Sequence, residues 1–214
     1  MRLVMNGVVP VPLREKVENH KSGIWKQHLE LNAGEYIFVQ APSGTGKTTL
    51  VHTLYGLRTD YEGSVQWGDT RITQASAGFL SELRTTGVSV IFQDMRLFPG
   101  LTAWENLQVK RELAGTVSEE QVSAWMERLG MSAKKQSLGS TLSYGEQQRI
   151  AIIRALLQPF RWLLMDEPFS HLDRNNRDKA RQLILEVVQA NNAGLLLADL
   201  DENEYFPYTK KLWL

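Results

Sequence analysis

One stretch of the chain combines small residues, a lysine and hydroxyl groups in a spacing that suits phosphate binding. It consists of Ala41, Pro42, Ser43, Gly44, Thr45, Gly46, Lys47, Thr48 and Thr49. Backbone N–H groups of such a loop, placed at the start of a helix, can surround an anion. In this spacing Lys47 is expected to reach the β- and γ-phosphates, and the Thr48 hydroxyl is expected to hold Mg²⁺. Ala41 replaces the first glycine of the pattern, which is tolerable where φ is negative. A strand, turn and helix with a chance Gly-Lys-Thr is the alternative.

Two acidic residues and a glutamine follow apolar runs further along the chain. Asp166 and Glu167 come directly after Trp162–Met165, and Gln93 comes after Val88–Phe92. We expect Asp166 to lie beside the phosphate loop and to hold Mg²⁺ through water. Glu167 is then the natural general base for a water molecule that attacks the γ-phosphate, an effect worth about 10²- to 10⁴-fold in rate. A solvated turn is the usual interpretation of an isolated Asp-Glu pair, but Gly-Lys-Thr upstream favours the catalytic one.

The elements that must position these residues alternate between strands and helices. The apolar run Tyr36–Val39 predicts a buried strand before the phosphate loop, and residues 48–57 predict a helix after it. Leu3–Val9 is expected to be an edge strand because prolines follow it. The polar residues 14–22 predict an exposed loop, and residues 208–214 predict a last edge strand. Strands in this order with helices between them indicate an α/β fold with a mixed sheet core and an antiparallel edge.

The middle of the chain has a different character, with helix signals and no strand signal. Thr102 and Glu105 have the spacing of a capping box, and Ser118 with Gln121 marks the start of a second helix. We therefore predict one domain over residues 1–214. Its α/β core would comprise residues 1–93 and 159–214, and a helical subdomain would comprise residues 94–158.

Composition and charge exclude several classes of function for this chain. The 214 residues contain 24 basic and 24 acidic side chains, so the formal net charge is zero. Nucleic-acid-binding domains normally carry a basic excess, and none is present. The chain lacks cysteine, which excludes a disulfide framework and a thiolate metal site. We also expect no signal peptide and no membrane span, so any membrane role would depend on a partner.

The order of these motifs resembles that of the ATP-binding cassette (ABC) ATPases, the nucleotide-binding domains of ABC transporters, over nearly the whole chain. Three stretches carry the resemblance in addition to the phosphate loop. They are the family's signature at Leu142-Ser143-Tyr144-Gly145-Glu146, its Walker B and D-loop at Asp166-Glu167-Pro168-Phe169-Ser170-His171-Leu172-Asp173, and its Q-loop glutamine at Ile91-Phe92-Gln93-Asp94.

The resemblance implies a mechanism and a set of roles. Two cassettes bind head to tail and enclose ATP with Mg²⁺, so Ser143 and the N–H of Gly145 would grip the γ-phosphate held by the other copy. Asp173 would contribute to the nucleotide site from the D-loop. Thr48, Gln93 and Asp166 would be the metal-site residues, and Lys47, Gln93 and Glu167 the catalytic ones. A homodimer is expected, and a heterodimer is the alternative.

Three departures from the family pattern carry further expectations. Tyr144 stands where the family has glycine, so its side chain must point away from the nucleotide or crowd it. The stretch Val8–Pro12 lacks the aromatic residue on which the family stacks adenine, and Trp25 is either a substitute or a core residue. Asp199 either takes the place of the family's switch histidine or marks a two-residue deletion, and we expect slow hydrolysis.

The resemblance favours an ATPase subunit that powers a separate membrane permease, held at the inner face of the cell membrane through that permease. The region around Leu97 and Phe98 resembles the groove that receives the permease's coupling helix, and packing inside the helical subdomain is the alternative. A soluble ABC protein of the DNA-repair or translation type is disfavoured, because the chain has neither a coiled-coil insertion nor a second cassette. An ATP-gated clamp that seldom hydrolyses is the second hypothesis.

Overall fold

The computed structural model describes residues 1–19 and 21–214, which form an α/β fold. Its strands are β1 (Leu3–Pro10), β2 (His28–Leu31), β3 (Tyr36–Gln40), β4 (Tyr61–Trp67), β5 (Thr70–Arg71), β6 (Val88–Ile91), β7 (Trp162–Asp166), β8 (Gly194–Asp199) and β9 (Lys210–Trp213). Its helices are α1 (Arg14–Asn19), α2 (Lys47–Leu54), α3 (Ala77–Glu82), α4 (Ala103–Ala114), α5 (Glu119–Arg128), α6 (Tyr144–Leu156) and α7 (Arg174–Ala190). Within the described residues, no helix is both long and apolar enough to cross a membrane.

Five strands form a parallel sheet in the order β6-β7-β8-β3-β9. Every residue of β7 is buried, and so are the first five residues of β8. Strands of a parallel sheet are covered on both faces, which explains why these sequences are continuous apolar runs rather than alternating ones. The apolar runs before Asp166 and before the phosphate loop are therefore strands, as expected.

The side chains of the central strands alternate between two hydrophobic clusters. Leu163 and Met165 of β7 pack with α4, α5, α6 and α7 on one face of the sheet. Leu164, between them, packs on the other face with α2 and with the antiparallel strands. Successive side chains of a strand point to opposite faces, so one short strand joins both halves of the core.

The antiparallel strands form a sheet of their own, in the order β2-β1-β4-β5. The fold class expected from the sequence is confirmed, but β1 is not an edge strand, because it pairs with β2 on one side and β4 on the other. Pro10 does not interrupt the ladder because it is the last residue of β1, opposite Tyr61. The position of a proline at a strand end says nothing about the strand's neighbours.

Two other expectations need correction. Residues 14–22 were expected to form a loop, whereas Arg14–Asn19 is helical; His20 lies outside the described residues. Helix α2 ends at Leu54 rather than at residue 57, because Gly56 takes a positive φ of 72° and closes the last turn. By contrast, the capping box of Thr102 and Glu105 is present at the start of α4.

The topology brings several of the candidate site residues to one edge of the parallel sheet. The carboxyl ends of β3, β6, β7 and β8 lie side by side because these strands run in the same direction. The phosphate loop follows β3, Gln93 follows β6, and Asp166 ends β7. This edge is where open α/β sheets bind ligands.

Candidate active site

The loop between β3 and α2 has the backbone of a phosphate cradle. Gly44 and Gly46 take φ values of 76° and 108°, in the left-handed region that glycine adopts without strain. A side chain at Gly46 would also collide with Leu13. Ala41 is fully buried at the start of the loop and is not among the described residues with positive φ. Its methyl group therefore fits, and the missing first glycine does not disturb the loop.

Lys47 begins α2 and is buried at the centre of the loop. Its Nζ donates to the carbonyl oxygen of Ala41 at 2.7 Å and lies 3.2 Å from Oε1 of Glu167. The ammonium group thus lies against its own loop and against the acidic residue that follows β7. A triphosphate in the cradle would compete for this ammonium group, and its transfer to the phosphates would release the Glu167 carboxylate.

Three oxygen-bearing side chains converge next to Lys47. The Thr48 hydroxyl lies 2.6 Å from Oδ2 of Asp166 and 3.5 Å from Oε1 of Gln93. Oδ1 of Asp166 is buried without a hydrogen-bond partner. Mg²⁺ takes oxygen ligands, often one or two carboxylates together with substrate phosphates and water, so this orphaned oxygen and its neighbours fit that ion. A magnesium ion held here would neutralise charge on the bound phosphates.

The electrostatics of Asp166 support the same interpretation. Burial raises the pKa of its carboxyl to about 6, and the negative charge of Glu167 adds to this effect. The Thr48 hydrogen bond and the charge of Lys47 act in the opposite direction. Among the described residues, at this site or elsewhere, no group of three or more His, Cys, Asp or Glu side chains has the arrangement of a metal site.

Glu167 is held in an unusual conformation. Its φ is 46°, in the left-handed region, where a non-glycine residue is uncommon. Its N–H donates to the Ala198 carbonyl at 3.0 Å, and its own carbonyl accepts from Nε2 of Gln148 at 3.3 Å. These bonds fix the strained backbone and hold the carboxylate beside Lys47. Such strain persists only where the surroundings impose it, which is common at functional sites.

Asp199 ends β8 next to the phosphate loop. Its carbonyl accepts from the N–H of Ala41 at 2.9 Å, and its side chain accepts from the N–H of Leu200 at 2.8 Å. Burial raises the pKa of its carboxyl, and the charge of Glu167 raises it further. A carboxylate in this place accepts hydrogen bonds and repels phosphate.

The signature and the D-loop form a second group of residues. Ser143 caps α6, with its N–H donating to Glu146 and its hydroxyl accepting from the Glu146 N–H. Asp173 caps α7 in a similar way, accepting from the N–H of Asn176 at 2.9 Å. A Cβ atom at Gly145 would lie 2.8 Å from the His171 carbonyl oxygen. The glycine thus permits the signature and the D-loop to pack backbone against backbone.

The tyrosine that departs from the family signature has a defined partner. Its ring stacks on the imidazole of His171, with centroids 5.3 Å apart and planes inclined by 23°. Tyr144 is nevertheless 67% exposed. Its side chain lies along the D-loop, which resolves how a bulky residue fits between Ser143 and Gly145.

Of the residues proposed from the sequence, five meet in one network: Lys47, Thr48, Gln93, Asp166 and Glu167. Ser143, Gly145 and Asp173 belong to the other group, and no contact between described residues joins their side chains to the phosphate loop. Trp25 is buried in the core, against Gly46. The interpretation of Trp25 as a core residue is therefore favoured over a stacking role.

Two side chains at the site carried no sequence signal that singled them out. Lys16, on α1, donates to the carbonyl of Gly44 at 3.0 Å, although its segment reads as a polar loop. Gln148 is buried and bonds three residues of the segment after β7: it donates to the Glu167 carbonyl and the Ser170 hydroxyl, and accepts from the His171 N–H. Its neighbours Gln147 and Arg149 are polar as well, so nothing in the local sequence marks Gln148 as buried.

Comparison with known proteins gives a consistent result. The profile described as "ABC transporter" matches residues 26–170. Over 182 residues the chain is 34% identical to the aliphatic sulfonates import ATP-binding protein SsuB of Bacillus cereus, covering 83% of this chain and 68% of that protein. The chain belongs to the ABC transporter family. It is a nucleotide-binding domain of that family, with the ATP-binding and ATPase character of its relatives.

One further relative and one solved structure are also similar to this chain. The lipoprotein-releasing system ATP-binding protein LolD of Nitrobacter hamburgensis is 35% identical over 173 residues, which cover 79% of this chain and 75% of LolD. The dimeric structure of the bacterial ABC transporter cassette MJ0796 superposes with a TM-score of 0.77 at 24% identity, covering 94% of this chain and 88% of that one. At that identity the superposition establishes the fold of this ABC domain.

Proposed function

We propose that this ABC domain binds Mg-ATP at the phosphate loop, pairs head to tail with a second copy, and powers a separate membrane permease by ATP hydrolysis. The observation that carries the proposal is the contact network of Lys47, Thr48, Gln93, Asp166 and Glu167 at the carboxyl edge of the parallel sheet. It combines a phosphate-binding cation, oxygen ligands for Mg²⁺ and a general base within hydrogen-bond distances.

The proposal assigns a role to each part of the site. Residues 41–49 hold the phosphates, Thr48, Gln93 and Asp166 hold Mg²⁺, and Glu167 accepts the proton of the attacking water. The helical subdomain, residues 94–158, presents Ser143 and Gly145 to the second copy, while the core of residues 1–93 and 159–214 holds the nucleotide. The Ser143 hydroxyl accepts a bond within its own cap, so its proton is available to a γ-phosphate oxygen.

The start of α6 supports the trans role of the signature. Its first N–H groups, including that of Gly145, lack intrahelical partners and lie at the positive end of the helix dipole, where an anion is stabilised. A dimer is also supported by the relative MJ0796, a cassette whose structure is described as dimeric. We favour a homodimer because Glu167 and Ser143 are both retained in this chain; a heterodimer is the alternative.

Contact with the permease is proposed at the surface beside α4. Phe98 is 51% exposed there, together with Val109 and Leu113 of α4. Leu97, its neighbour, packs against the core instead. An exposed aromatic side chain beside exposed aliphatic ones is the kind of surface that a partner helix covers. Membrane association would then occur through the permease, at the inner face of the membrane.

The permease contact has a direct test. Phe98→Ala should lose most association with membranes that contain the permease, while Kd for ATP stays unchanged. Trp213→Ala removes a similarly exposed aromatic side chain from β9 and should leave association intact. Equal association of both variants with such membranes would place the permease contact elsewhere.

Asp199 favours a second candidate function, an ATP-gated clamp that seldom hydrolyses. A carboxylate at the end of β8 cannot donate to the γ-phosphate as an imidazole would, and it adds negative charge near Glu167. We therefore expect slow turnover. Stoichiometric ATP binding with no phosphate release, even beside the permease, would select the clamp.

The head-to-tail pair is tested with Glu167→Gln, which removes the general base and retains the side chain's volume. With Mg-ATP this variant should elute as a dimer in size-exclusion chromatography, and with ADP as a monomer. A monomer under both conditions, with ATP bound, would refute the head-to-tail proposal. Loss of ATP binding itself in Lys47→Ala is the companion measurement for the phosphate loop.

A further inference from the structure

The imidazole of His171 has a fixed orientation at the tip of the D-loop. Nε2 of Gln148 donates to the Ser170 hydroxyl at 3.3 Å, and that hydroxyl lies 3.0 Å from Nδ1 of His171. A hydroxyl can accept two hydrogen bonds, so the tautomer of the ring sets the direction of this one, and the tautomer relevant to a phosphate is that in which Ser170 donates to Nδ1. The proton of the neutral ring then sits on Nε2, as a hydrogen-bond donor.

The imidazole ring of His171 is exposed to solvent, but its contacts hold it in one orientation. Tyr144 stacks on one face, and the His171 N–H donates to Oε1 of Gln148 at 3.0 Å. Gln148 itself is buried, so the hydrogen-bonded chain that orients the ring starts in the core. Nε2 makes no hydrogen bond with any described residue. The donor is therefore presented outward from the same surface as Ser143 and Gly145.

The nucleotide site lacks such a donor at the end of β8, where Asp199 stands. Of the other histidines that the structure describes, His28 lies on β2, and His52 of α2 packs edge-on against Phe92. Neither shares a contact with the signature or the D-loop. His171 is the described imidazole that a head-to-tail pair would bring to the γ-phosphate with the signature.

We propose that His171 is a catalytic residue in trans, which donates a hydrogen bond from Nε2 to a γ-phosphate oxygen of the ATP held by the second copy. This proposal rests on the head-to-tail pairing proposed above. It also gives Tyr144 a role, since the stacked phenol ring holds the imidazole where the family's glycine would leave it unsupported.

The chemical step balances without further reactants. The oxygen of the attacking water forms a bond to the γ-phosphorus, and the bond from this phosphorus to the β–γ bridging oxygen breaks. The bridging electron pair leaves with ADP, and Glu167 receives the proton of the water. His171 transfers no proton; its N–H stabilises negative charge that grows on the phosphoryl oxygens, the kind of donor whose removal costs about 10²-fold in rate.

The test uses mixed dimers of two inactive variants. His171→Ala and Glu167→Gln are each expected to hydrolyse ATP about 10²-fold or more slowly than the wild type. In a mixed dimer, the His171→Ala copy holds ATP with an intact Glu167 and receives His171 from the Glu167→Gln copy. One complete site results, so mixing should raise activity well above that of either variant alone, though below that of a reference mixture of wild type with Glu167→Gln, in which wild-type dimers also contribute.

Other outcomes would overturn the proposal. If the mixture stays as inactive as its components while the reference mixture is active, His171 does not act across the interface. If His171→Ala retains wild-type turnover, it has no catalytic role. In either case, an ATP-dependent dimer of Glu167→Gln would show that the pairing itself stands, whereas its absence would remove the basis of both proposals.

Two further variants separate chemistry from folding. His171→Gln keeps an N–H donor at a similar reach and should recover part of the activity lost in His171→Ala, with the same melting temperature. His28→Ala, at an exposed histidine of β2, is the matched control and should hydrolyse ATP at the wild-type rate. Equal turnover of the Gln and Ala variants would contradict a role for the donor.

Discussion

The phosphate-loop region differs from the region of the signature and the D-loop in its burial and in its charges. At the phosphate loop, the charged side chains of Lys47, Asp166 and Glu167 are buried and lie close together: Lys47 faces Glu167, and Asp166 accepts from Thr48. The signature and D-loop region is mostly exposed, and its hydrogen bonds serve to fix the positions of Ser143 and His171.

The difference indicates where each region finds its partner. A buried lysine and glutamate in contact hold each other until an anion with more charge competes for the lysine. The exposed region has no such buried ion pair. Under the proposed function, we expect the first region to respond to nucleotide and the second to respond to another copy that carries nucleotide.

Removal of the general base should have the largest effect on hydrolysis and affect only the phosphate-loop region. Glu167→Gln is expected to lower phosphate release by about 10²- to 10⁴-fold, because the attacking water loses its proton acceptor. The signature surface is unaffected by this change. Phosphate release is the measurement, and a variant with more than about a tenth of wild-type turnover would assign the base elsewhere.

Asp166→Asn tests the electrostatic strain of the buried region in the nucleotide-free protein. The folded-state pKa of about 6 exceeds the ordinary value of 3.8, so the folded protein binds the proton more tightly than the unfolded chain. Stability is therefore greatest below pH 4 as far as this group is concerned, and it declines as the pH rises through 6. At pH 7.5 the loss amounts to at most about 3 kcal/mol.

The asparagine variant should recover part of that loss. Its melting temperature at pH 7.5 is expected to exceed that of the wild type by several degrees, of the order of 2–4 °C per kcal/mol for a chain of this size. Hydrolysis should be lost at the same time. A lower melting temperature at pH 7.5 would show that Asp166 is not strained in the folded state.

Gly145→Ala tests the backbone contact in the exposed region. Alanine is favoured over glycine within a helix by about 0.5–1 kcal/mol, but here its Cβ would crowd the His171 carbonyl at 2.8 Å. We expect the D-loop to shift and turnover to fall by up to about 10²-fold, the cost that a misplacement of about 1 Å can have.

Gly100→Ala is the matched control, because a Cβ atom at that glycine meets no atom within 4 Å and its φ is not positive. Kd for ATP should be the same in both variants and in the wild type. Unchanged turnover in Gly145→Ala would mean that the contact between signature and D-loop has no part in hydrolysis.

The smallest expected effect concerns the choice between adenine and guanine in the bound nucleotide. Stacking on an aromatic residue is worth about 1–3 kcal/mol per base, and Trp25 is buried in the core rather than presented to solvent. ATP and GTP should therefore bind with Kd values within about threefold of each other. A large preference for ATP, measured by calorimetry, would reveal a base contact that this arrangement lacks.

Much of the fold and of the buried site could be predicted from the sequence. The apolar runs of β3, β7 and β8 are long, uninterrupted and followed by chemical residues, so their burial and the position of Asp166 at a strand end follow from local pattern. Helix starts were predictable where a side chain caps its own helix, as Thr102 does. The local pattern did not predict the place of β1 within its sheet or the helix over residues 14–19, because each depends on neighbours that are distant in sequence.

The sequence by itself determined which residues are proposed to carry the chemistry of phosphate binding, because Gly-Lys-Thr and Asp-Glu are recognised by their spacing along the chain. Only the tertiary structure decided what the departures mean. Tyr144 and His171 lie far apart along the chain, and their stacking results from the packing of α6 against the D-loop. A contact across that separation leaves no periodic trace in either segment, so it becomes visible only when the chain has folded.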